Sequence, residues 1–283
     1  MIIALTILSI VCEGQNRYGL SDEEYQYLLE GLNKRNTEPE KAGKIFDSLL
    51  ITRPDICVLY YLKGLTHYNG NDLDSGKSVL KKGIVCDPTN AINYNLLKTI
   101  YVELSEYDSA ELILLTYVDC ADGDFDNFLN EYADLGKIAR AKNQYHKSVE
   151  YLTEAINRCD DGKKYKSCGD LFYLRADSYT IIDEPQKAWE DILVYEQLNP
   201  LDRATLVLKG EILQMLGRYK ASTEILKAYL TNPTHLGENW VNFMIGVNYH
   251  RLNESENSCH HLIEAKRLGY EDEKLDELLG NCK

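Results

Sequence analysis

The stretch from Asp170 to Pro200, DLFYLRADSYTIIDEPQKAWEDILVYEQLNP, encodes a small unit that cannot stand alone. In its first half Leu171, Phe172, Leu174, Ala176, Tyr179 and Ile182 recur at three- and four-residue spacings, so they share one helical face. Asp183-Glu184-Pro185 stops that helix, because proline has no N–H to donate and pushes its predecessor out of the α region. Pro185 then suits the first turn of a second helix, whose buried stripe is Ala188, Ile192 and Tyr195. Leu198-Asn199-Pro200 ends it. One such hairpin leaves its apolar faces half covered and needs a like neighbour on each side.

Seven copies run through the chain in phase. They start near Glu23 (Ala42, Phe46, Pro54), at Cys57 (Gly64, Leu80, Pro88), Ala91 (Tyr101, Ala110, Leu114), near Leu129 (Gly136, Leu152, Ala155), at Gly169 and Arg203 (Gly210, Leu226, Pro233), and near Asn239 (Gly246, Tyr249, Leu262, Ala265). The pattern resembles the tetratricopeptide repeat, whose period is 34 residues. In that family position 8 is small, 11 often Tyr, 20 usually Ala, 24 large, 27 often Ala and 32 Pro. Counting from Gly169, Ala176, Tyr179, Ala188, Ile192, Tyr195 and Pro200 fall at those places. The resemblance implies an all-α, right-handed α-solenoid of about seven helix-turn-helix repeats. Asp272–Leu279, within residues 271–283, would cap the last hairpin. Start-to-start spacing lengthens to 40 residues between the copies at 129 and 169, through longer helices or an extended Asp160–Cys168 loop.

A chain of 283 residues could hold two globular domains, but no Ser/Gly-rich linker divides it. A single array over 15–283 is expected, since each repeat of a solenoid contacts only its neighbours. The formal charge of −14 argues against nucleic acid as a partner, because phosphates demand basic surface. It suits a basic partner, or simply the solvation of outer helix faces.

Met1 to Cys12, MIIALTILSIVC, is apolar but too short for a transmembrane span. It reads as the core of a signal peptide over 1–14, cleaved after Gly14. Alternatively it is a lipoprotein signal ending before Cys12, and membrane attachment then depends on lipidation of Cys12. An apolar first element packed on the first repeat is the third reading. Export would place the chain in the periplasm, at the cell surface or outside the cell, where cysteines pair. Three pairs are sterically sensible: Cys259 with Cys282, Cys159 with Cys168, and Cys57 with Cys86 at the two ends of one hairpin. Against them stands cysteine as a small buried residue. The leader and the Cys-rich end resemble exported bacterial members of the family.

No catalytic set emerges, and no cofactor is implied. Asp122, Asp124 and Asp126 alternate like the opening of a calcium loop, but Asn127 and Ala133 occupy the places that need Gly and Glu. Cys259, His260 and His261 are adjacent, which on a helix points them about 100° apart, and His250 could approach them. Gly-rich phosphate loops, G-x-S-x-G and H-E-x-x-H are absent. Asn253-Glu254-Ser255 is a glycosylation sequon, relevant only to a secreted eukaryotic chain.

In proteins of this family the first helices of the repeats line a groove with positions 2, 5, 9 and 12. Carried over, the partner-binding set is Tyr61, Tyr68, Asn95, Lys137, Arg140, Tyr173, Asp177, Glu211, Trp240 and Phe243, flanked by Leu65, Thr99, Thr180, Val247 and His250. Large aromatics bury much area at low entropic cost and suit anchoring roles, although packing between helices uses them too. The expected function is a non-catalytic scaffold that holds a protein or peptide in this groove. Two alternatives are an intracellular adaptor or co-chaperone with reduced thiols in the cytoplasm, and a ligand- or metal-handling protein using the C-terminal Cys/His region.

Overall fold

The computed structural model describes residues 19–121, 128–159, 165–199, 205–231 and 237–282. The leader with Cys12, the Asp122/Asp124/Asp126 run, and Pro200 and Pro233 lie outside the described residues. Among those described there are fifteen helices and no strand. The first unit holds α1 (Asp22–Lys34), α2 (Pro39–Thr52), α3 (Val58–Asn69), α4 (Leu73–Cys86), α5 (Ala91–Glu103) and α6 (Tyr107–Cys120). The second holds α7 (Leu129–Ala141), α8 (Tyr145–Asn157), α9 (Tyr165–Ile181), α10 (Pro185–Leu198), α11 (Thr205–Met215), α12 (Tyr219–Leu230), α13 (Glu238–Arg251), α14 (Ser255–Arg267) and α15 (Glu273–Leu279). The boundary between the compact units falls at Phe125/Asp126.

Within each unit, consecutive helices pack as antiparallel pairs and stack on the next pair. The first helix of a pair (A) meets the second (B) and, from α3 onward, also the A helix of the following repeat in its unit. Each expected repeat is one such pair. The copy at Gly169 differs at its start, since α9 begins four residues earlier and runs to 17 residues. Part of the long spacing before this copy therefore extends a helix.

Two local devices make the hairpins. The first is the A–B turn. Asn71, Ser105, Asn143, Asp183, Gly217 and Asn253 sit at the same place in six repeats, and all have left-handed backbone, φ between 57° and 71°. That conformation lets the next N–H reach back five residues, as in Asp72 N to the His67 carbonyl (2.9 Å) and Glu254 N to that of Tyr249 (2.9 Å). Asn, Asp and Gly tolerate it best, which explains most of the set.

The second device is the A–B contact. A Cβ built on Gly64, Gly136, Gly210 or Gly246 would fall 2.5–2.7 Å from a carbon of Leu80, Leu152, Leu226 or Leu262. Only hydrogen leaves room for the leucine to seat against the A-helix backbone, and all four leucines are buried. In three of these repeats a buried serine finishes the joint. Ser148, Ser222 and Ser258 donate to the carbonyls of Gly136 (2.9 Å), Gly210 (2.7 Å) and Gly246 (2.8 Å).

The second unit adds polar clasps between repeats, built alike at two junctions. Gln214 Nε2 donates to the Met244 carbonyl (3.2 Å) and to Asn248 Oδ1 (2.8 Å), while Asn248 Nδ2 donates to Ser222 Oγ (2.8 Å). At the corresponding place one repeat pair earlier, Arg140 donates to the Leu174 carbonyl (3.1 Å) and Ser178 Oγ (2.6 Å), and Ser178 lies 3.5 Å from Ser148. Asn248, Ser178, Ser148 and Ser222 are fully buried. Arg175 further ties α8, α9 and α10 together, pairing with both Asp191 oxygens at 2.7 Å and with Thr153 at 3.0 Å.

Three disulfides close the set. Cys57–Cys86 joins the start of α3 to the end of α4, Cys159–Cys168 joins the end of α8 to α9, and Cys259–Cys282 joins α14 to the chain end. Cys120 is free and exposed.

Gly210→Ala should cost about 1–2 kcal/mol, because overpacking against Leu226 outweighs the helix propensity gained. Asn248→Ala should cost about 1–3 kcal/mol through the polar groups it strands. Urea unfolding of each variant beside the parent measures both.

Candidate interaction surface

Where the A helices lie side by side, the residues between their mutual contacts form a surface. In the first unit α3 and α5 supply it. Tyr61 is buried, and burial pushes its phenol upward in pKa. Tyr68 donates its hydroxyl to Glu103, which holds the phenol protonated to higher pH. Asn95 and Thr99 are half-buried, with Thr99 donating to the Asn95 carbonyl (2.9 Å). Leu65 is buried.

In the second unit α7, α9, α11 and α13 each touch the next, and the set is more polar. Lys137 is exposed, 3.3 Å from Asp134 in its own helix. Arg140 was expected to face a partner, but the clasp and an ion pair with Asp177 commit it to α9. Asp177 is thereby neutralised on one side. On the other side it acts on Glu211, whose carboxyl is raised in pKa first by burial and then by the Asp177 charge. Glu211 is half-buried and has no hydrogen-bond or ion-pair partner among the described residues. Thr180 is buried and donates to the Ala176 carbonyl (2.9 Å).

The aromatics divide by exposure. Tyr173 is half-buried, its ring 5.4 Å from that of Tyr195. Trp240 is half-buried beside Phe243 (5.7 Å) and Tyr270 (5.7 Å). Phe243 is buried, stacked on Tyr270 at 4.6 Å, and Val247 is buried beside it under the α15 cap. Of this cluster Trp240 and Tyr270 are half-buried and Phe243 is covered. Position in the repeat located these residues; nothing in the sequence separated the half-buried rings from the buried ones.

The C-terminal Cys/His group is arranged differently from a ligand set. The Cys259 sulfur is bonded to Cys282. His261 Nδ1 is 2.9 Å from Asn242 Oδ1 and its ring stacks on Tyr249, while His260 meets it edge-on and His250 is exposed. No group of three or more metal-capable side chains occurs among the described residues. Nor is any helix among them long and apolar enough to cross a membrane.

The tetratricopeptide repeat model matches residues 132–161, most of α7 and all of α8. No curated protein sequence matches the chain. Among solved structures, Pseudomonas aeruginosa pilF is 14% identical and aligns over 81% of this chain and 99% of its own, with a TM-score of 0.57. A tetratricopeptide repeat protein from Parabacteroides merdae is 12% identical over 92% of this chain and 98% of its own, TM-score 0.55. YrrB, a protein of the same repeat class with an unusual peptide-binding site, is 18% identical over 69% and 94%, TM-score 0.57. At these identities the likeness is one of fold.

His261 gives this region a pH signature. Burial, the neighbouring His260 and Lys227 lower its pKa from 6.5 to about 4. The unfolded chain therefore takes up a proton that the folded chain refuses. The stability from this residue is complete above pH 6.5 and lost as pH falls from there to about 4. Allowing for its partial exposure, the loss should be about 1–2 kcal/mol. His261→Gln should remove that part of the slope when urea midpoints are compared between pH 7.5 and 4.5.

Proposed function

We propose that this tetratricopeptide-repeat solenoid is an exported, non-catalytic scaffold that holds a segment of another protein on the A-helix face of its second unit. Glu211 carries the reading. A half-buried carboxylate without a partner is costly to keep charged, and a cationic group arriving from outside relieves that cost. The occupant we infer is a peptide segment with a Lys, Arg or terminal ammonium against Glu211 and Asp177. Its apolar side chains would lie on the half-buried rings of Tyr173 and Trp240. The net charge of −14 favours approach of such a segment.

The clasps at Arg140 and Gln214 fix the A helices before anything binds, so little ordering entropy is lost on association. The peptide-binding site of YrrB, on a like fold, supports a peptide as the kind of occupant. Three bonded cysteine pairs support an oxidising compartment over a cytoplasmic adaptor role. Intact mass of protein from its native host tests export: a full-length chain with reduced thiols sinks it.

A photo-crosslinker placed in turn at Lys137, Tyr173 and Trp240 in the native host should capture one recurrent protein from at least two of the three. Glu211→Gln should weaken that protein about tenfold and flatten its salt dependence, as expected for a lost charge-assisted hydrogen bond. Capture only from control positions on the B helices would remove the A-helix face from consideration.

A further inference from the structure

The first unit has another surface, between the B helices α2 and α4. An open cleft of about 480 Å³ is lined by Pro54, Tyr60, Lys81, Lys82, Val85 and Cys86. A second hollow of about 220 Å³ shares Tyr60 and Lys82 with it and continues over Leu50 and Ile51. Ile51 and Val85 are 34 residues apart, so they hold the same place in successive repeats, and each is 82% exposed. Each lies just beyond the last buried residue of its helix, Leu49 in α2 and Gly83 in α4. Two large aliphatic side chains in phase, flanking a tyrosine, leave an apolar strip facing water.

The charge on this strip runs against the rest of the chain. In the same unit Lys34, Lys41, Lys63 and Lys77 each pair with a carboxylate. Lys81 and Lys82 have no carboxylate partner among the described residues; Lys81 only overlies the Tyr101 ring at 6.0 Å. The one carboxylate lining either hollow is Asp47, already paired with Lys63. A strongly acidic protein thus holds, among its described residues, two cations without a carboxylate beside an apolar strip. The Cys57–Cys86 bond, at one wall, fixes the start of α3 against the end of α4 and keeps the cleft in shape.

We propose that this cleft docks an acidic segment of a partner protein. One aromatic or branched aliphatic side chain seats among Tyr60, Val85 and Ile51, and flanking carboxylates meet Lys81 and Lys82. The preference is opposite in sign to that of the A-helix face, and the two surfaces belong to different units. Failure of one leaves the other standing.

The test is selection of a random dodecapeptide phage library on the full chain, with depletion on the Lys82→Glu/Val85→Ser double variant. Both positions are exposed, and circular dichroism checks that the variant is folded. The expected result is enrichment of peptides with acidic residues around an aromatic or aliphatic one. A fluorescein-labelled synthetic copy of the most enriched sequence should bind at least tenfold more weakly to Lys82→Glu and to Val85→Ser, and unchanged to Glu211→Gln. No enrichment, enrichment of basic or uncharged sequences, or binding indifferent to Lys82 and Val85 would overturn the proposal. So would sedimentation showing a dimer that Val85→Ser dissolves, which assigns the cleft to a second copy.

Discussion

Leucine seated against a bare helix backbone is the contact on which four of the hairpins depend. Where Gly64, Gly136, Gly210 and Gly246 lie, the A helix offers no side chain, and the leucine sixteen residues later fills the space. This brings two helices close enough for a serine hydroxyl to reach the glycine carbonyl in three repeats. Those carbonyls already accept helical bonds, so the serine uses their second lone pair and leaves no buried donor unmade. In the fifth repeat Ala176 and Ile192, both fully buried, occupy the glycine and leucine places.

Much of the architecture was legible because apolar spacing reports helices directly, and seven spacings in phase report a stack. The turn residues were harder to see. Asn71, Ser105, Asn143, Asp183, Gly217 and Asn253 are five small polar residues and a glycine, types found in any loop, and their shared left-handed backbone becomes visible only when the repeats are aligned. At the fifth copy the break falls at Asp183-Glu184-Pro185 as expected, with Asp183 supplying the left-handed turn and proline opening α10.

The surface was legible by position and illegible by state. The repeat register put Arg140, Asp177 and Glu211 on one side of their helices. It could not say that Ser178 and the Leu174 carbonyl hold the arginine, because that depends on what the neighbouring repeat carries two positions away. The same ignorance applied to Phe243, which the capping helix covers while Trp240 stays accessible. Serine in place of alanine at the A–B joint differs by one hydroxyl, and that hydroxyl completes a bond. Pair interactions across repeats decide which groups remain for a partner, and they are written in no single stretch of sequence.

The disulfides have a mechanical consequence. A stack of hairpins resists sideways force but lengthens readily when its ends are pulled, each repeat peeling away as extended chain. Cys57–Cys86 takes 29 residues out of that process and Cys259–Cys282 another 23. At about 3.4 Å per residue the first alone withholds roughly 100 Å of contour length. A chain so stitched can yield under tension between its braces while the second hairpin and the capped end keep their length.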